Sequence, residues 1–147
     1  TDLIRRACRD ATRLTGAHYG GVMLQRTSET LDSIWHLDGE DLPVKHLEMK
    51  VTELESSLRA FRSGRPRIVP WHESSEVERS FWEPTGTRSN VHFPLNVNGE
   101  FVGVMMMRFR EEAPQLTAAQ VSFCETLANA CVAAITRDRL LEAVANR

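Results

Sequence analysis

The chain has 147 residues, 41% apolar and 26% charged, enough for one globular domain that buries its own core. A formal net charge of −2 supplies no basic field for nucleic acid, and 7% aromatic residues with 6 prolines give no sign of disorder. The longest apolar runs, such as Phe101 to Met107, fall far short of a membrane span, and no signal peptide opens the chain.

The sequence begins at Thr1 without a methionine and ends inside a helical pattern at Arg147, as expected of a segment of a larger protein. Leu3, Ile4, Ala7, Cys8, Ala11 and Leu14 recur at helical spacing with Gly16 as the stop, which predicts a helix over 2–15. Arg5, Arg6, Arg9 and Arg13 lie between them and read as a solvated face, because no aromatics interleave with them. Residues 18–26 and 31–37 read as two strands joined by the polar Thr27-Ser28-Glu29-Thr30. The segment 38–43, Asp-Gly-Glu-Asp-Leu-Pro, is expected to break regular structure.

Thr52-Glu53-Leu54-Glu55 has the form of a capping box, with Leu54, Leu58 and Phe61 as an apolar stripe ending at Gly64. A short strand, Pro66-Arg67-Ile68-Val69-Pro70, is edged by prolines that cannot donate ladder hydrogen bonds. Ser75-Glu76-Val77-Glu78 repeats the capping-box form, with Val77 and Phe81 one turn apart and Pro84 as the stop. Strands over 89–97 and 100–109 flank Asn98-Gly99, the preferred type I′ pair because both positions need positive φ.

The last helix starts at the capping box Thr117-Ala118-Ala119-Gln120, with Leu116 able to staple onto Val121. Val121, Cys124, Ala128, Cys131 and Ile135 form a near-heptad seam, adjoined by Leu127, Ala134 and Leu141. From 117 to 147 such a helix is roughly 46 Å long, so its end, 137–147, is expected to project. Cys124 and Cys131 lie on one face of it, and neither they nor Cys8 form a Cys-x-x-Cys pair, so all three read as small buried side chains. Reduced thiols point to a cytoplasmic compartment. Helix, two strands, helix, strand, short helix, hairpin, long helix is an α+β order with a largely antiparallel sheet.

Four segments carry a family likeness: 14–24 (LTGAHYGGVML), 61–69 (FRSGRPRIV), 90–109 (NVHFPLNVNGEFVGVMMMRF) and 116–141. Within the third, Pro94-Leu95, Asn98-Gly99 and Gly103-Val104 follow the expected order of strand, turn and strand. On these the chain resembles a GAF domain over nearly its whole length. The resemblance implies a profilin-like six-stranded antiparallel sheet, terminal helices on one face, and on the other a ligand pocket lidded by 70–88. It implies a single domain, 1–147, that senses a small molecule inside a signalling protein, above all a two-component sensor histidine kinase. A diguanylate cyclase, a transcription regulator and a ligand-free structural dimerisation module are the alternatives. The partners it implies are an unknown small molecule and a second copy of the chain, paired through 2–15 and 117–147. No nucleic acid and no membrane contact by this domain are expected.

The specific chemistries of the family are disfavoured. The Asn-Lys-Phe-Asp-Glu signature of cyclic-nucleotide-binding members is missing, and 60–115 contain no cysteine to attach a bilin. Members that reduce methionine sulfoxide use cysteines in pocket loops, whereas these three fall on helices. No Gly-rich phosphate loop, nucleophile elbow or His-Glu-x-x-His pattern is present, and the five histidines are too scattered for a metal site by spacing. No convergent set of nucleophile and base is legible, so the domain itself is not expected to be an enzyme.

His92 is the residue that stands out. Strand alternation sets Val91, Phe93 and Leu95 on one face and Asn90, His92 and Pro94 on the other. The apolar set fits the helix side, so the imidazole is expected to face the pocket. There it is a hydrogen-bonded core group, a ligand contact or an axial haem ligand, haem being disfavoured. Trp71, His72, Phe81 and Trp82 cluster in the expected lid, either as pocket walls or as core. Met105, Met106 and Met107 read as sheet packing.

Overall fold

The computed structural model describes residues 2–146, so Thr1 and Arg147, the ends of the expected domain, lie outside the described residues. The chain runs α1 (Asp2–Thr15), β1 (Tyr19–Thr27), β2 (Thr30–Leu37), β3 (Glu40–Asp41), β4 (Lys45–Leu47), α2 (Glu55–Ser63), β5 (Arg67–Pro70), α3 (Glu76–Trp82), β6 (Ser89–Val97), β7 (Glu100–Phe109) and α4 (Ala118–Ala145). All strand pairs are antiparallel, in the order β3-β2-β1-β7-β6-β5, with β4 also on β2. This is the expected α+β layout.

Local chemistry explains most boundaries. Asn98 and Gly99 take φ of 54° and 80°, and β6 and β7 close on them as predicted. The β1–β2 turn manages without glycine because the Thr27 hydroxyl accepts from Glu29 N–H and meets the Thr30 hydroxyl at 2.7 Å. Ser75 and Thr117 each cap their helix, accepting from the N–H of Glu78 and Gln120.

Two expectations need correction. Asp38-Gly39 does not end regular structure: with φ of 46° and 89° it makes a tight turn that returns the chain along β2 as β3. Thr52 caps nothing, since 51–53 form a 3-10 turn in which Glu53 accepts from Lys50 N–H, and α2 begins only at Glu55. The stripe of Leu54, Leu58 and Phe61 does pack on Met23, Leu31, Trp35 and Phe101, but only half-buried. The deepest positions of α2 are Ser57 and Ala60, whose small side chains let the helix lie close to β6.

The sheet separates two cores. On one face α1 and α4 cover Val22, Ile34, Val91, Phe93, Met105 and Met107. On the other, Met23, Trp35, Val104 and Met106 face α2 and the segment that carries α3. Thus only Met106 of the three consecutive methionines looks toward the second face. The seam of α4 is consumed inside the chain, with Cys124, Ala128, Cys131 and Ile135 all buried in the first core. By length and composition α4 could cross a membrane; packed through that seam on β6 and α1, it is instead one layer of the domain. Beyond Thr136 its residues are exposed, Leu140 at 64% and Leu141 at 60%.

Candidate functional site

On the second face, β6, β7, α2 and α3 provide most of the lining of a partly open cavity of about 40 Å³. Alternation along β6 sends Asn90 and His92 into it while Val91 and Phe93 go under the terminal helices. His92 is 3% exposed, and its Nδ1 lies 2.8 Å from the Ser57 hydroxyl of α2. Its Nε2 faces a Glu78 carboxylate oxygen at 3.7 Å.

That approach has the spacing of an ion pair, yet burial pulls the His92 pKa down to about 3, with Arg108 and Arg67 adding repulsion to the charged form. We therefore read a neutral imidazole beside a carboxylate. Desolvation of a ring with almost no water contact outweighs attraction to a group more than hydrogen-bond distance away.

Glu78 is held by its own helix: Oε1 accepts from Ser75 N–H at 2.9 Å, and Oε2 is buried without a partner. Asn90 donates through Nδ2 to the Met106 sulfur at 3.2 Å. A thioether only accepts, so the amide nitrogen belongs on the sulfur and Oδ1 is left as an unpartnered acceptor. Arg108, on β7 opposite Asn90, brings an unpartnered Nε. Glu78 Oε2, Asn90 Oδ1, His92 Nε2 and Arg108 Nε are thus four buried polar atoms without partners, all from residues lining one cavity. Buried polar groups are normally satisfied, so such a convergence marks a place built to receive one or more polar groups. As it stands, the space holds about three waters.

The structure brings His92, Phe81 and Trp82 together as walls of this cavity. It does not bring Trp71 and His72 there. Trp71 packs behind, its ring 6.3 Å from that of Trp82 and under the Arg88 guanidinium at 4.8 Å. His72 is exposed and faces Glu112 at 3.6 Å. Both sit in the 3-10 turn 71–73 that precedes α3, which turns them away from the cavity.

Ser57, Glu78 and Arg108 escaped the sequence reading. Arg108 carried a signal, being a charge at the same strand parity as Met106 inside an apolar run. Ser57 and Glu78 carried none, since their place depends on how α2 and α3 dock.

The thiols are elsewhere. Cys8, Cys124 and Cys131 are free and buried on the helix side of the sheet. Burial pushes Cys124 and Cys131 up to about 11 and Cys8 higher still, which leaves them protonated and unreactive.

A sequence model of the GAF domain matches residues 1–136. A comparison with curated proteins gives no match. Among solved structures, the PixJ GAF domain of Thermosynechococcus elongatus in its blue-light absorbing form is similar, with TM-score 0.71 and 13% identity over 99% of this chain and 89% of that one. The chromophore-binding domain of a Stigmatella aurantiaca bacteriophytochrome gives TM-score 0.69 and 13% identity, covering 92% of this chain and 53% of that one. A domain of a protein described as a two-component sensor histidine kinase from Sinorhizobium meliloti gives TM-score 0.65 and 14% identity, covering 97% of this chain and 94% of that one. Likeness at such identities is a likeness of fold.

Proposed function

The chain belongs to the GAF domain family, and on that premise we propose that it is a regulatory domain that binds a small polar molecule in the His92 cavity. The observation that carries this reading is the set of four unpartnered polar atoms on the cavity residues. A ligand with both donors and acceptors satisfies them: donors for Glu78 and Asn90, an acceptor for Arg108, and either role for His92. Admission of anything larger than a few waters is proposed to displace α3, whose Phe81 and Trp82 form part of the wall.

Beta-strand β6 gives that displacement a route. Asn90 and His92 line the cavity, and the intervening Val91 and neighbouring Phe93 pack in the core beneath α1 and α4. A shift of β6 therefore acts on the layer that contains α4, and residues 137–147 are proposed to continue as a signalling helix. The output is proposed to be a two-component sensor histidine kinase in the cytoplasm, in keeping with the fold likeness to the Sinorhizobium meliloti domain.

Homodimerisation through 2–15 and 117–147 is part of the proposal, by a face different from the expected seam. That seam is buried within the chain, whereas Phe123, Ala130 and Leu141 share another side of α4, with Phe123 and Leu141 exposed and Leu3 and Leu14 exposed on α1.

The ligand proposed here is none of the pigments or cofactors weighed for the family. The three cysteines lie across the sheet from the cavity, so no thiol reaches a bilin there. Haem is disfavoured because a porphyrin far exceeds the 40 Å³ cavity and Glu78 stands 3.7 Å in front of His92 Nε2. The small volume is also what favours the second reading, a dimerisation module with no ligand.

A thermal-shift screen of small polar metabolites against the wild type and His92→Leu separates the two. Ligands that stabilise the wild type and not the variant support sensing. A stable domain that responds to none supports the structural module, and an equal response in both forms puts the binding outside the His92 cavity.

A further inference from the structure

A second cavity, about 260 Å³, opens on the same face where β1 and β2 meet the segment 80–85. Tyr19, Trp35, Leu42 and Phe81 supply apolar walls, and the two charged residues lining it, Arg108 and Lys45, are both cations. Arg108 lines this cavity and the His92 cavity alike.

Arg108 is 5% exposed and poorly satisfied. Its guanidinium carbon sits 4.5 Å from the Trp35 ring centroid and 5.0 Å from that of Tyr19. Nη1 donates one long hydrogen bond of 3.5 Å to the Phe81 carbonyl, Nε donates none, and the side chain makes no ion pair among the described residues. Burial is the largest influence on its charge and disfavours it, while Tyr19 and, less strongly, Glu78, which does not line this cavity, support it through space. Burial lowers the Arg108 pKa to about 10, so the group stays charged at neutral pH. A buried cation without a hydrogen-bonded anion is costly. The Tyr19 and Trp35 rings, whose centroids are 4.6 Å apart, both lie on one side of the guanidinium, and its N–H groups other than Nη1–H are left to donate to a carboxylate.

We propose that this cavity binds a small aromatic carboxylate, with its ring among Tyr19, Trp35 and Phe81, its carboxylate on Arg108 and Lys45 at the rim. Gly21 prepares the site, because a Cβ there would overlap the Trp35 ring that lies across β1. The volume suits a single-ring acid, somewhat below the usual ~300–1,000 Å³ of small-molecule sites. The site goes beyond the His92 cavity but shares Met23, Phe81 and Arg108 with it, so ligands in the two cavities compete for the Arg108 guanidinium.

The test is a ¹H–¹⁵N titration of the domain with benzoate, phenylacetate and 3-phenylpropionate, and with phenylacetamide as the neutral control. The expected result is saturable shifts of the Trp35 Nε1–H and Arg108 Nε–H signals by at least one acid, with phenylacetamide about tenfold weaker than phenylacetate or more. Arg108→Gln should lose the binding; should that variant not fold, Lys45→Gln on the exposed rim should weaken the acid and leave the amide unchanged. His92→Leu should keep it, which separates this site from the cavity proposed above. The proposal is overturned if none of the three acids gives a saturable shift up to about 10 mM. Equal binding of phenylacetate and phenylacetamide overturns it too, as do shifts centred on Ser57 and Asn90 instead of Trp35 and Arg108.

Discussion

Ser57 Oγ and His92 Nδ1 meet at 2.8 Å with both side chains out of solvent, tying α2 to β6 across the cavity. The contact leaves Nε2 as the free end of a neutral ring. Removing the hydroxyl strands a buried nitrogen, so Ser57→Ala should cost about 1–3 kcal/mol by urea unfolding. Ser57→Thr, which keeps the hydroxyl but adds a methyl against β6, should also destabilise the fold.

Stability should fall on acidification, and His92 fixes the sign. In the unfolded chain the imidazole binds a proton near its ordinary 6.5, whereas in the folded chain it does so only near 3. Its contribution is complete above about pH 6.5 and is lost as pH falls, by up to about 1.4 kcal/mol per pH unit until about pH 3. His92→Gln should flatten the slope of unfolding free energy between pH 6 and pH 4 relative to the wild type. Parallel slopes would show that His92 is already charged in the folded chain.

Gly21→Ala should destabilise by about 1–3 kcal/mol, because the new Cβ meets the Trp35 ring and the backbone beside it. Trp35 emission should shift with it, since the ring must leave its place beside Arg108. Asn98→Ala should cost about 1 kcal/mol through its φ of 54°, while Asn98→Gly should be close to neutral.

Much of this fold was legible in the sequence, for reasons that differ by element. The strands 89–97 and 100–109 were legible to the residue because a type I′ turn has few acceptable sequences and Asn98-Gly99 is one of them. The alternation that turned His92 away from Phe93 is equally local. Reading Thr52 as a cap failed because the capping pattern recurs by chance: the carboxylate that reaches back to a backbone N–H here is Glu53, on Lys50, and not the Glu55 of the expected box. The α4 seam was seen, but a pattern cannot say whether its partner is another chain or the chain's own sheet. At the site, periodicity found His92 and the lid helix, whereas the split of Trp82 from Trp71 and the arrival of Glu78 and Ser57 depend on docking angles that no local pattern encodes.

Cys8, Cys124 and Cys131 should react with a thiol reagent no faster than the domain unfolds. Burial holds Cys124 and Cys131 up to about 11, so almost no thiolate exists near pH 7. Fast labelling of any of the three in the native state would reopen a redox role.

Association should be weak and should run through the outer face of the terminal helices. Sedimentation is expected to show a concentration-dependent dimer that Phe123→Glu or Leu141→Glu abolishes without unfolding the domain, both positions being exposed. A monomer at all concentrations, or a dimer indifferent to both changes, would remove the proposed pairing.

The central claim is that the His92 cavity receives a ligand, and the imidazole itself is the most direct witness. Long-range ¹H–¹⁵N spectra of the His92 ring, recorded at pH 6 before and after addition of the metabolites that stabilise the domain, report its protonation and its surroundings together. The ring is expected to be neutral at the start, and ligand addition to displace the Nε2 resonance, with the Ser57, Glu78 and Asn90 amides moving alongside. A ring that is protonated at pH 6, or one whose Nε2 signal stays fixed while a stabilising ligand shifts residues elsewhere, would contradict that claim.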